Sequence, residues 1–213
     1  KQYTICVTNS PGVFWTCKNQ ITETKYLKFA IGFHPQESTL DENDIKDFMR
    51  LIMLTNYIGE VGLDYSAKSY MDKQLQLRFF EQIVELCASE NKLMTIHIRG
   101  AEEDAIRILA KYNPQKAIVH WYTGNRDHML KLVDLGCYFS INTNMVNSCN
   151  AEKYHLFPLE RLLIESDGPY TRVNKKKYVP SLLRDAYDEI SVFYKNFDMI
   201  SNIYENFKRI LSV

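Results

Sequence analysis

The sequence predicts an α/β protein built on parallel strands, and three observations agree on this. Short apolar runs rich in β-formers alternate with helical patterns along the chain. Several of these runs end in His, Glu or Asp. The turn after the first run, residues 8–12, lacks the glycine-rich phosphate loop that usually marks an open doubly wound sheet. Of the two architectures, we therefore favour a TIM-type (β/α)8 barrel that lacks its first strand and helix.

The predicted strands are seven, and each is bounded by polar or turn-forming residues. They occupy residues 3–7, 29–32, 57–61, 93–98, 117–120, 137–141 and 162–165. A (β/α)8 barrel typically needs ~250 residues, so one further strand and helix would complete it. The chain begins at Lys1 rather than Met and enters its first strand at once. We expect that an N-terminal segment was lost by truncation or processing.

Helical patterns fill most of the intervals between the strands. The clearest covers residues 74–88, where Leu75, Phe79 and Ile83 recur at helical spacing. Asp41 and Asn125 are residue types that cap helix N-termini. Further helices are predicted over residues 41–54, 102–111, 126–135, 180–194 and 199–211.

Composition restricts the class of protein. A length of 213 residues suits one domain, residues 1–213. Lys+Arg and Asp+Glu balance at 26 each, which argues against a protein that coats nucleic acid by bulk charge. Five cysteines without a CxxC pair indicate reduced, mostly buried thiols in a cytoplasmic protein. No apolar run is long enough to span a bilayer, so no membrane partner is expected.

Acidic and imidazole side chains end four of the predicted strands: Glu60, His97, His120 and Asp167. Taken singly, such a histidine is more often a hydrogen-bonded core residue, and such a carboxylate is often a cap. The C-terminal ends of parallel barrel strands meet on one face, where active sites lie. Two imidazoles and two carboxylates gathered there form a divalent-metal site. Four such residues on four strands make chance placement the weaker explanation.

Five segments resemble the signature blocks of the TatD family of metal-dependent deoxyribonucleases, and they occur in the family's order. They read AIGFHPQE at 30–37, GEVGLDY at 59–65, TIHIRGA at 95–101, HWYTGN at 120–125 and LLIESDGPY at 162–170. Residues 206–211 also resemble the closing helix of that family. The WYTG segment and LGCYFSINTN at 135–144 look closest to TatD-like nucleases of Qat-type antiphage defence systems.

The resemblance implies two divalent metal ions, with Zn, Mn and Mg left open. Glu60 matches the carboxylate that bridges them, His97 and His120 match ligands of one ion, and Asp167 matches a ligand of the other. A bridging position needs a carboxylate, because each oxygen can bind one ion. Asp64 can orient a ligand or simply cap a turn.

The resemblance also implies residues that contact the substrate, DNA. His34 matches a histidine near the scissile phosphate, and Arg99 matches a position that holds a phosphate oxygen, so both join Glu60 as catalytic candidates. Trp121 and Tyr170 can stack on unpaired bases or pack at the barrel rim. Three lysines at 175–177 are usually a solvated loop, but beside the barrel mouth they can attract a nucleic-acid backbone.

One departure from the family leaves alternatives open. The family opens with a His-x-His pair on its first strand, and this chain has no such pair. The second metal then depends on residues outside the chain. Two other functions stay possible: an amidohydrolase-type metal hydrolase acting on a small substrate, and a catalytically impaired subunit with protein partners in a defence complex.

Overall fold

The strands form one parallel sheet whose order follows the chain. The computed structural model describes residues 2–37, 41–66 and 71–212. Within them the sheet has seven strands in the order β1 to β7. They are β1 (Thr4–Val7), β2 (Leu27–Phe33), β3 (Tyr57–Asp64), β4 (Leu93–Arg99), β5 (Ala117–His120), β6 (Tyr138–Ile141) and β7 (Leu162–Ile164). Each pairs in parallel with the next, which confirms the (β/α)-barrel class.

Helices connect the strands, as parallel pairing requires. They are α1 (Pro11–Gln20), α2 (Glu42–Leu51), α3 (Lys73–Ser89), α4 (Glu102–Tyr112), α5 (Arg126–Asp134), α6 (Thr143–Val146), α7 (Leu183–Tyr194) and α8 (Met199–Ser212). The predicted caps are confirmed, since Asp41 accepts hydrogen bonds from Asn43 and Asp44, and Asn125 accepts one from His128. No helix in the described ranges is long and apolar enough to cross a membrane.

The structure adds elements that the sequence pattern did not predict. Helix α1 occupies a stretch for which only a turn was expected. It is capped by Ser10, whose hydroxyl accepts from the Val13 amide, and it has Pro11 in its first turn. A two-stranded antiparallel hairpin, β8 (Arg172–Val173) and β9 (Lys176–Lys177), stands where a loop was expected. The predicted helix at 41–54 ends as an α-helix at Leu51 and continues as a short 3-10 turn.

The end of β1 reaches past β2 to β3, which curls the sheet. The Thr8 amide donates to the Gly59 carbonyl, and the Glu60 amide donates to the Thr8 carbonyl, both at 2.9 Å. Gly32 of β2 lies beneath this contact, where an added Cβ would come within 1.5 Å of the Thr8 carbonyl oxygen. Only glycine fits there. This close approach fixes the backbone of Glu60 at the barrel's C-terminal end.

The cysteines form no disulfide bonds. All five are free, and Cys87 and Cys137 are buried, while Cys149 is exposed. The expectation of unpaired thiols is confirmed, but the expectation of mostly buried ones holds for only part of the set.

Candidate metal centre

Glu60 lies at the middle of a group of histidines at the C-terminal ends of the strands. The residue is 7% exposed. Its Oε1 atom lies 2.6 Å from His120 Nε2, and its Oε2 atom lies 3.8 Å from His34 Nε2. His34, Glu60 and His97 each offer one ligand atom, and these three atoms lie within 4.8 Å of one another. Segments far apart in the sequence therefore bring these donors together, and the group contains Glu60 and His97 of the four predicted ligands together with His34.

Charges around Glu60 keep it ionised. Burial alone would raise its pKa, but the imidazoles of His120, His34 and His97 lower the pKa to about 2. Burial lowers the pKa of His34 to about 4, although the Glu60 charge acts in the opposite direction. At neutral pH His34 is therefore an uncharged imidazole, whose Nδ1 atom accepts from the Gln36 backbone amide at 3.2 Å and whose Nε2 atom faces the Glu60 carboxylate.

Asp64 orients His97. Its Oδ2 atom lies 2.9 Å from His97 Nε2, and the side chain also accepts from the Gln36 amide group and from the Ser66 backbone amide. Burial raises the pKa of Asp64, but the hydrogen bonds from His97 and Ser66 outweigh it and hold the pKa well below its usual range. An ionised Asp64 accepts a hydrogen bond from Nε2–H, which leaves the Nδ1 lone pair of His97 available for a ligand.

Glu165 orients His120 in the same way, and sequence reasoning missed this role. Its Oε2 atom lies 2.9 Å from His120 Nδ1 and also accepts from the Ser140 hydroxyl. Its Oε1 atom accepts from the Asn142 side chain at 2.8 Å. Burial lowers the pKa of His120, but Glu165 and Glu60 raise it well above its usual value. With Nδ1 bound to Glu165, the Nε2 atom faces Glu60.

Asp167 lies near this group but outside the three residues whose ligand atoms converge. Burial raises its pKa to about 6; His120 acts in the opposite direction, while Glu165 and Glu60 raise it further. Its backbone φ is 41°, an uncommon left-handed value for a non-glycine residue. Trp121, which follows His120, shares this feature with a φ of 35°. Such strained positions cluster at functional sites.

The residues present fit a metal ion. Glu60 Oε1 is a buried side-chain oxygen for which no hydrogen bond is found among the described residues, although it forms an ion pair with His120 Nε2 at 2.6 Å. A buried carboxylate oxygen without a hydrogen bond is costly. An ion beside it would satisfy this oxygen and also neutralise the excess of buried carboxylates. Imidazole and carboxylate donors together suit Zn²⁺ or Mn²⁺.

The aromatic and basic candidates around the centre differ in exposure. Arg99 ends β4 and is exposed. Tyr170 is 72% exposed, whereas Trp121 is partly buried against the core. Tyr122 is buried, and its hydroxyl donates to the Asn125 carbonyl. Tyr65 donates to Asp104, so both tyrosines pack structurally.

Comparison with known proteins gives consistent matches. A family model described as TatD related DNase matches residues 2–212. The metal-dependent hydrolase YcfH of Escherichia coli K12 is 30% identical over 196 residues, which cover 87% of this chain and 72% of that protein. The deoxyribonuclease Tat-D of Schizosaccharomyces pombe is 34% identical over 119 residues, which cover 54% of this chain and 38% of that protein.

The solved structures agree on the fold. The crystal structure of the TatD homolog YJJV from Escherichia coli K12 superposes with a TM-score of 0.82 at 16% identity, covering 99% of this chain and 86% of that one. The fold and the residues at its strand ends define the class, a parallel (β/α) barrel with candidate metal ligands at the C-terminal ends of its strands. The chain belongs to the TatD-related DNase family. It spans 66% of a Buchnera aphidicola metal-dependent hydrolase and 38% of the fission-yeast enzyme.

Asp64→Asn should lower the free energy of unfolding of the metal-free protein by about 2 kcal/mol, since charge-assisted hydrogen bonds are lost. The folded-state pKa of Asp64 is depressed, so its contribution is present above the ordinary pKa of 3.8 and is lost as the pH falls below it. Urea denaturation at neutral and acid pH measures the free energy of unfolding of the wild type and the variant. The stability difference between wild type and variant should shrink on acidification.

Asp188→Asn is the matched control, because Asp188 is 64% exposed and forms only a surface ion pair with Arg184. An equal stability loss in both variants, at both pH values, would contradict the role assigned to Asp64.

Proposed function

We propose that the full-length protein is a metal-dependent hydrolase that cleaves phosphodiester bonds of DNA with a metal-activated water. The observation that carries the proposal is the buried Glu60 carboxylate, whose Oε1 atom lacks a hydrogen bond in the midst of three imidazoles. The matched fission-yeast relative is named a deoxyribonuclease, which supports DNA as the substrate. The family supports metal dependence.

In this proposal Glu60, His97, His120 and Asp167 hold divalent metal ions, two of them by the family resemblance. When bound, the ions would supply a nucleophilic hydroxide and neutralise charge on the phosphate. Asp64 and Glu165 keep the imidazole lone pairs aimed at the ions. The proximity of His34 to Glu60 and His97 also makes His34 an additional candidate ligand.

The remaining roles concern the substrate. His34 is uncharged at neutral pH and its Nδ1 atom accepts from the Gln36 amide, so its Nε2–H can donate to a phosphate oxygen, and proton transfer through Nδ1 would require release of the Gln36 hydrogen bond. The exposed guanidinium of Arg99 offers paired donors that match a phosphate. Trp121 and Tyr170 present aromatic surface beside the centre, on which unpaired bases can stack.

The test uses the full-length protein, with any residues that its gene encodes before Lys1. Chelator-stripped protein is reloaded with Zn²⁺, Mn²⁺ or Mg²⁺ and offered labelled single- and double-stranded DNA, RNA, bis-p-nitrophenyl phosphate, and a panel of amides and lactones. We expect metal-dependent cleavage of DNA and of the small phosphodiester. Turnover confined to the amides or lactones would identify an amidohydrolase instead. Metal binding without any turnover would indicate an impaired subunit.

We further propose that the protein acts in the cytoplasm in antiphage defence, together with protein partners. The support is the resemblance of residues 121–124 and 135–144 to Qat-type nucleases. Phage plaque counts on cells carrying the native gene cluster, with wild-type protein or Glu60→Gln, test this role. Equal plaque counts for both would refute it.

A further inference from the structure

The hairpin β8–β9 is attached directly to the metal centre. Thr171, which precedes it, donates its amide to the Asp167 carbonyl at 3.3 Å and its hydroxyl to the Ser166 carbonyl. Tyr178, which follows it, packs so closely on Gly168 that an added Cβ there would lie 2.9 Å from the Tyr178 ring. Both ends of the hairpin are therefore fixed to the loop that carries Asp167.

Neighbouring elements hold the hairpin in one position. The Arg172 carbonyl accepts from the Thr143 hydroxyl at 2.7 Å, and the Arg172 amide donates to the Asn144 side chain at 3.1 Å. The Asn174 amide and side chain donate to Glu189 and Asp185 of α7, each at 3.1 Å. The hairpin is thus tied to α6, which follows β6, and to α7, and it is a built part of the barrel mouth.

The acids nearby do not neutralise its lysines. Glu189 and Asp185 bond to Asn174, and the ammonium groups of Lys175, Lys176 and Lys177 have no ion pair or hydrogen bond within the described part of the chain. All three lysines are exposed. Since the whole chain has a formal charge of zero, this is a local excess of positive charge.

Two features of the hairpin sequence are unfavourable for its own stability. Arg172 and Lys177 are paired directly across the two strands, an arrangement of like charges that destabilises a hairpin. Asn174 and Lys175 form the turn with φ values of 50° and 65°, and glycine is the favoured residue at the second of these positions. A lysine there places a charge at the tip at the expense of local stability. An anionic ligand would offset both penalties.

We propose that this hairpin binds the phosphate backbone of the nucleic-acid substrate next to the scissile position. The inference rests on the proposed function and extends it, because the hairpin shares its anchoring loop with Asp167. Neighbouring strand residues point to opposite faces, so Lys176 and Lys177 would contact a backbone that crosses the edge of the hairpin. Tyr170, exposed between Asp167 and the hairpin, offers a surface for the adjoining base.

The experiment compares full-length wild type with the double variant Lys176→Glu/Lys177→Glu. Fluorescence anisotropy with a labelled single-stranded oligodeoxynucleotide should show a dissociation constant raised at least about tenfold, and a salt slope smaller by about 0.7 for each phosphate that the variant no longer binds. Hydrolysis of bis-p-nitrophenyl phosphate, which is too small to reach the hairpin, should stay within about twofold of wild type. This small-substrate readout separates loss of backbone binding from loss of the metal centre.

Lys25→Glu/Lys46→Glu is the matched control, with the same charge change placed before β2 and on α2, away from the mouth. Lys176→Gln/Lys177→Gln tests the same contacts if the charge reversal does not fold. DNA affinity and salt slope equal to the control would overturn the proposal, and so would a parallel loss of small-substrate hydrolysis. Stronger lysine-dependent binding to phosphatidylserine vesicles than to DNA would assign the hairpin to membranes and overturn it too. Lysine-dependent DNA binding without any hydrolysis by the wild type would refute the proposed nuclease activity, but it would support the hairpin as a DNA-binding element.

Discussion

Glu60→Gln should reduce DNA cleavage by the full-length, metal-loaded protein at least about a thousandfold while leaving the fold intact. Metal-based stabilisation of charge contributes several kcal/mol, and each ~1.4 kcal/mol is a factor of ten in rate. Glutamine keeps the size of the side chain but removes the charge that faces His34 and His120. Single-turnover cleavage of labelled DNA measures the loss, and circular dichroism confirms the fold.

Glu85→Gln makes the same chemical change on the exposed side of α3 and should cleave like wild type. A Glu60→Gln protein that retains the wild-type rate with metal supplied would rule out a metal-activated water held at this carboxylate.

Glu165→Gln should weaken metal binding by about tenfold to a hundredfold, which is the usual effect of removing a residue that hydrogen-bonds to a metal ligand. Glu165 accepts from His120, Ser140 and Asn142, so a neutral amide cannot serve all three donors. His120 would then lose the fixed proton on Nδ1 that aims Nε2 at the ion. Competition with a chromophoric chelator measures affinity, and nitrogen NMR of labelled histidine reports the tautomer.

Glu160→Gln is the control, since Glu160 is exposed and precedes β7 on the same segment. A purely structural role for Glu165 would lower thermal stability without changing metal affinity or the His120 tautomer. That result would contradict its role as a positioning residue.

The sequence predicted the elements whose apolar periodicity is strong. The helix expected at 74–88 is α3 (Lys73–Ser89), because its buried side chains recur every three or four residues. Helix α1 was not predicted, because its buried residues are limited to Pro11 and Phe14 and its apolar residues Val13 and Trp15 are exposed. The Ser10-Pro11 pair, a cap followed by a first-turn proline, was the available signal.

The sequence predicted the site only insofar as residues at the C-terminal ends of parallel strands are expected to lie close together. Glu60 lies 2.6 Å from His120, and it forms with His97 a group whose ligand atoms lie within 4.8 Å of one another. That group also includes His34, which the family resemblance assigns to the phosphate. The role of Glu165 could not be read from spacing, because it depends on the registry of β5, β6 and β7. Ser140 and Asn142, the polar residues on either side of Ile141 at the end of a buried strand, were a local hint.

Hydrogen bonds from His120, Ser140 and Asn142 meet on Glu165. A second set, from His97, Gln36 and Ser66, meets on Asp64. An imidazole whose other ring nitrogen is hydrogen-bonded to a fixed carboxylate cannot rotate to accommodate ions of different radius. We therefore expect the pocket to sort metals by size and preferred bond angles more than by charge, and to exchange its ions slowly.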